Sequence, residues 1–225
     1  MSLPSKVSII CPQCGNSFDT TIWLSVNATA TPDLRESLMA GKLNILKCPA
    51  CGCIFEPDSE LVYHDVERRF MIRYLENPTD KLNAPSVEPD SYAGGFPDSY
   101  ALRIVDTRNK LVEKIKIFED GLDDRVIEAI KLYYLYGTKK IGWVDENSIF
   151  YLETLKDDDE LVFLVREGEL DPDKIKVPYA NYQSVTDEIA QVIRLAEIPG
   201  WVVIDRMFAE HLLRRAGILP SGAGE

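Results

Sequence analysis

The sequence predicts an α+β protein built as a small β-rich ribbon over residues 6–76, a helix hairpin over 99–137, and a small α+β C-terminal domain over 139–225. Three observations carry this expectation. Two Cys-Pro-X-Cys-Gly motifs, Cys11 to Gly15 and Cys48 to Gly52, are each flanked by short apolar or β-branched runs. Between Thr107 and Gly137 the apolar residues recur at helical spacing. From Ile141 onward short strand-type runs return and lead into further helices.

In the ribbon, Val7 to Ile10 reads as a strand entering the first cysteine motif and Phe18 to Val26 as the strand leaving it. Thr31-Pro32-Asp33 supplies an N-cap, a proline at the first helical position and an early acidic residue, and Gly41 ends the helix. Leu43 to Lys47 enters the second motif and Cys53 to Phe55 leaves it, followed by a hairpin from Leu61 to His64 and Phe70 to Leu75. Residues 77–98 hold four prolines and two glycines, the composition of a linker. The ribbon, linker and helix hairpin together make a first domain over residues 1–138. In the hairpin, Thr107 caps a helix with Leu111, Ile115 and Phe118 on one face. Asp123 caps a second with Val126, Ile127, Ile130 and Tyr134 on one side. The C-terminal domain reads as strands at Ser148 to Leu155, Glu160 to Arg166 and Ile175 to Val177. A helix opened by Pro178, a strand from Trp201 to Ile204 and a last helix capped by Asp205 complete it.

Hydrophobic residues make up 45% and charged residues 28%, within the range of soluble globular chains. No run approaches the roughly 20 apolar residues that a membrane helix needs. Met1 to Lys6 lacks the apolar core of a signal peptide, so a cytoplasmic protein without membrane attachment is expected. The net charge is −12, with no clustered Lys/Arg to neutralise phosphates, which weighs against nucleic-acid binding.

All five cysteines fall between positions 11 and 53. In a reducing compartment such pairs hold metal more often than they form disulfides. Two residues between the cysteines of each knuckle let both sulfurs face one ion, proline stiffens the turn, and the following glycine tolerates positive φ. Four thiolates, from Cys11, Cys14, Cys48 and Cys51, fill the tetrahedron of a structural zinc site and leave no open position for catalysis. Cys53 adds a neighbouring thiol, read as a small strand residue or, alternatively, as the trigger of a zinc–thiolate redox sensor.

The segment Cys11 to Tyr74 is similar to the CpXC family, named for its two Cys-Pro-X-Cys motifs. The similarity takes in Leu61-Val62-Tyr63-His64-Asp65 and the stretch from Leu111 to Asp124, and so covers about residues 5–137. The resemblance implies Zn2+ bound by Cys11, Cys14, Cys48 and Cys51.

Other candidates have structural readings. His64 belongs in a hairpin, bonded to Asp65 or to backbone, and His211 lies on the last helix; two histidines leave little material for a nucleophilic triad. The acidic run Glu119 to Asp124 lacks the spacing of an EF-hand loop and suits helix ends and caps. Asp157-Asp158-Asp159 reads as a solvated turn, and Gly94-Gly95 lacks the context of a phosphate loop. Tyr133, Tyr134 and Tyr136, with Tyr179 and Tyr182, cannot all face one core; they are expected to join the hairpin to the C-terminal domain or to reach a partner. The expected function is a non-catalytic zinc-binding protein in which the metal braces a regulatory or protein-interaction module. No catalytic or organic-cofactor residues are assigned. The alternatives are an enzyme with a site between the ribbon and the C-terminal domain, or a redox sensor at Cys53.

Overall fold

The computed structural model describes residues 2–75, 100–137, 148–166, 171–195 and 200–219. The linker expected at 77–98, with Gly94-Gly95, lies outside them. The protein is mixed α+β, with ten strands and five helices among the described residues, and it divides into two compact units, Met1–Val112 and Glu113–Glu225.

The first unit is organised by a five-stranded sheet. Its strands are β1 (Leu3–Ile10), β2 (Ser17–Asn27), β5 (Leu61–Asp65), β6 (Phe70–Tyr74) and β7 (Ala101–Val105), side by side in that order. The β1/β2 and β5/β6 pairs are antiparallel, whereas β2/β5 and β6/β7 are parallel. Every residue of β5 and β6 is buried, the mark of central strands covered on both faces. Tyr63, Phe70, Met71, Ile72 and Leu61 fill this core. Helix α1 (Pro32–Met39) follows β2, and β3 (Leu46–Lys47) pairs with β4 (Ile54–Phe55) in a separate short hairpin.

Two expectations are corrected here. Thr31 stands at the N-terminus of α1 but makes no side-chain cap; its hydroxyl donates instead to the Asn27 carbonyl at 2.8 Å. Ala101–Val105, which falls within the helix hairpin expected over 99–137, is a strand. It earns its place through parallel pairing with β6, a contact between segments far apart in sequence that local periodicity does not report.

The second unit contains most of α2 (Arg108–Glu119), then α3 (Asp124–Gly137), the antiparallel sheet β10–β9–β8, α4 (Tyr179–Leu195) and α5 (Arg206–Arg215). The strands are β8 (Ile149–Leu155), β9 (Glu160–Val165) and β10 (Asp173–Pro178). The caps follow the sequence: Thr107 Oγ1 accepts from the Lys110 N–H at 3.2 Å, Asp123 Oδ1 from Arg125 N–H at 2.9 Å, and Asp205 Oδ1 from Phe208 N–H at 2.9 Å. Ile127, Leu161, Phe163, Ile189 and Leu213 form the core, with Tyr182 at its margin. The predicted strand at Trp201–Ile204 is not formed; Val202 makes a single bridge, and only Ile204 of the four is buried.

Beside this apolar core lies a buried ionic network. Lys114 Nζ sits 3.2 Å from Asp124 and 3.0 Å from Glu128, while Lys131 Nζ sits 2.6 Å from Glu113 and 3.2 Å from Glu128. The backbone N–H of Tyr151 donates to Glu113 at 2.6 Å, tying the network to β8. Buried charge is tolerated only when paired and hydrogen-bonded in this way.

Candidate metal centre

The two cysteine knuckles fold by the same backbone rule. Gly15 N–H donates to the Cys11 carbonyl at 3.0 Å, and Gly52 N–H donates to the Cys48 carbonyl at 2.9 Å. Cys11 N–H closes onto the Asn16 carbonyl at 2.9 Å, and Cys48 N–H onto the Cys53 carbonyl at 2.8 Å. Gly15 at φ 71° and Gly52 at φ 76° occupy the left-handed region that makes the turn close. In each knuckle the first cysteine is buried and the second exposed.

Strand ends bring the knuckles together. β1 and β2 flank the first, and β3 and β4 flank the second. Asn44, just before β3, binds the Trp23 backbone of β2 through two hydrogen bonds of 2.8 Å each. The result is four sulfurs within 4.8 Å of one another. Cys11 Sγ lies 3.7 Å from Cys51 Sγ, and Cys14 Sγ lies 3.7 Å from Cys48 Sγ. A tetrahedron with metal–sulfur bonds of about 2.3 Å requires sulfurs about 3.8 Å apart, so the spacing suits a four-thiolate ion. All five cysteines are free thiols. Among the described residues, this is the one group of three or more Cys, His, Asp or Glu whose ligand atoms converge on a point.

The protonation pattern agrees with the donor chemistry. Burial of the Cys11 sulfur opposes ionisation, but the backbone N–H groups of Cys14 and Gln13 overcome it and bring that thiol down to about 6. At Cys51 the backbone N–H of Cys53 favours the thiolate, yet burial and the other three sulfurs push the group up to about 12. Cys14 is raised despite the Asn16 N–H, by burial and by the Cys11 and Cys48 sulfurs. One sulfur ionises readily and the last resists, as crowded like charges must. A dication among them would remove that repulsion.

Cys53 is half-buried, its Sγ 3.8 Å from the Ile54 carbonyl oxygen. Burial raises its thiol, and the charge of Cys11 raises it further, so it lies within the field of the cluster. His64 lies in the β5–β6 hairpin as expected, its Nε2 3.3 Å from the Tyr100 hydroxyl, while the Asp65 carboxylate binds Arg68, whose Nη1 is 2.9 Å away. Burial lowers the His64 pKa. His211 is exposed on α5.

The acidic run resolves into structural roles. Asp120 accepts the Tyr151 hydroxyl, Asp123 caps α3, and Asp124 is sealed against Lys114. Asp157 to Asp159 form the exposed β8–β9 turn. Tyr182 accepts the Asp123 N–H at 2.9 Å, and Tyr133, Tyr134 and Tyr179 pack on the second unit's core, as the tyrosine pattern anticipated; Tyr136 is exposed. The Asn44 bridge and the ionic network had no local signature in the sequence.

No helix among the described residues is long and apolar enough to cross a membrane. Neither a curated protein nor a solved structure matches the chain. Residues 9–131 match the family described as CpXC protein. That span exceeds half of the chain and contains both knuckles, all of α2 and the first eight residues of α3. With its four cysteines gathered to a point, the chain belongs to the CpXC family.

Proposed function

We propose that this is a non-catalytic zinc-binding protein in which Cys11, Cys14, Cys48 and Cys51 hold one structural Zn2+. The ion joins the β1–β2 and β3–β4 hairpins into a zinc ribbon and so braces a module that engages a protein partner. The observation that carries the reading is the pair of 3.7 Å sulfur separations, each linking the buried cysteine of one knuckle to the exposed cysteine of the other. Four thiolates complete the coordination sphere, which suits bracing rather than catalysis. The second unit, with 14 Lys/Arg against 23 Asp/Glu and a net charge of −9, supplies the acidic surface for association and disfavours nucleic acid.

Elemental analysis of the purified protein tests this directly. One zinc per chain is expected, falling to none when Cys11 and Cys14, or Cys48 and Cys51, are changed to serine. Stoichiometric iron in place of zinc, or metal retained after loss of a knuckle, refutes the assignment.

The proximity of Cys53 to the cluster favours a second reading, in which oxidation of the thiolates releases the metal. Peroxide should then free zinc from the wild-type protein at a rate that Cys53→Ser changes; equal rates sink this reading.

A further inference from the structure

In the second unit, helices α3 and α4, with Val177 of β10, flank an open groove of about 430 Å³, within the size range of small-ligand sites. Ile130, Tyr133 and Tyr134 line it from α3, and Asn181, Ser184, Val185 and Glu188 from α4; Ile130 and Val185 are buried. These residues fall at helical spacing on each helix, so each helix turns one continuous stripe toward the groove.

Among the described residues, the charge of the groove is one-sided: Glu188 is the only carboxylate that lines it, and none of the lining residues is a lysine, arginine or histidine. Glu188 Oε2 accepts the Tyr133 hydroxyl at 3.0 Å, and Oε1 accepts the Ser184 hydroxyl at 3.4 Å. Neither donor neutralises the carboxylate, and among the described residues Glu188 forms no ion pair. Burial of Tyr133, and then its bond to Glu188, push the phenol up to about 12, so it remains a donor at physiological pH. Tyrosine rings attract cations through their negative faces. The net −9 of the unit adds a long-range field of the same preference.

We propose that this groove binds a small organic cation, a primary alkylammonium with an apolar arm. The ammonium sits at the Glu188 carboxylate beside Tyr133 and Tyr134, and the arm covers Ile130 and Val185. The Asn181 amide supplies a further polar contact at the rim. The groove is independent of the cysteine cluster, and its occupancy stands or falls separately from the metal.

The test is calorimetric titration of the metal-loaded chain of 225 residues with pentylammonium chloride, with 1-pentanol as the neutral counterpart. Saturable binding of the amine is expected, at least about tenfold tighter than that of the alcohol and weakened by added salt. Glu188→Gln should lower amine affinity by about tenfold or more while leaving alcohol binding unchanged, since it removes charge and keeps shape. Glu188 is exposed, so the variant should keep the wild-type thermal midpoint and zinc content. Absence of saturable amine binding overturns the proposal. So does equal affinity for the alcohol, which would mean an apolar cleft only, or undiminished amine affinity in Glu188→Gln.

Discussion

The side-chain amide of Asn44 closes a ring of two hydrogen bonds on the backbone of Trp23, accepting from its N–H and donating to its carbonyl. This bridge fastens the entry to the second knuckle onto the strand that leaves the first. Asn44 also holds φ 61°, a left-handed conformation that asparagine tolerates better than alanine. Asn44→Gly removes the bonds without backbone strain and should cost about 1–3 kcal/mol in urea unfolding. Asn44→Ala should cost about 1 kcal/mol more because of the backbone. Both variants should release the bound metal to a chelator faster than wild type; unchanged release rates would separate the bridge from the metal site.

Gly52 tests the turn alone. Its nearest obstacle to a Cβ is the Lys47 Cε at 3.9 Å, an ordinary contact, so packing gives alanine no penalty. The φ of 76° does. Gly52→Ala should lower stability by about 1–2 kcal/mol, and Gly15→Ala, with open space and φ 71°, by a similar amount. A cost confined to one knuckle would break the backbone equivalence described above.

Metal removal should act locally. After chelation at neutral pH, amide exchange is expected to accelerate around residues 11–16 and 46–55, where backbone hydrogen bonds close the two turns. Helices α3 and α5, whose buried residues belong to the second core, should keep their protection. Equal acceleration throughout the chain would show that the metal supports the entire fold.

The ionic network gives a prediction with a defined pH sign. Burial raises the Glu128 carboxyl, but Lys114 and Lys131 outweigh it and hold the group below the ordinary glutamate value. Its stabilisation is therefore fully present above the unfolded glutamate range and lost as pH falls through the lower, folded value. Glu128→Gln should cost about 3–5 kcal/mol near neutrality, because it leaves buried lysines undercompensated. The gap between the two proteins should narrow as the pH drops below about 4. Glu113, raised by burial despite Lys131 and raised further by the charge of Glu128, works in the opposite direction in the wild type, and Glu128→Gln removes the part due to Glu128. Denaturation curves across acidic pH would show the convergence, and a constant gap would refute it.

Much of this was legible in the sequence because it is local. The Cys-Pro-X-Cys-Gly spacing determines which sulfurs can share an ion, and Gly15 and Gly52 announce the turn geometry. Thr107, Asp123 and Asp205 announce helix starts that the structure keeps. Thr31 holds the N-cap position that the sequence announces, but its hydroxyl binds the Asn27 carbonyl instead of the helix N-terminus, a choice set by the Asn27–Thr31 turn.

The rest was decided by contacts between distant segments. β7 is a strand only because β6 lies beside it, and Glu113, Lys114, Asp124, Glu128 and Lys131 meet as a buried network only when the fold brings them against one another. By itself, the sequence determined the knuckles, the helix hairpin and the family. Only the tertiary structure decided that the four sulfurs converge, that Asn44 locks the knuckles together and that Glu188 faces two tyrosines across a groove. The physical reason is that turn and cap propensities are written in neighbouring residues, whereas convergence and desolvation depend on which surfaces the whole chain brings into contact.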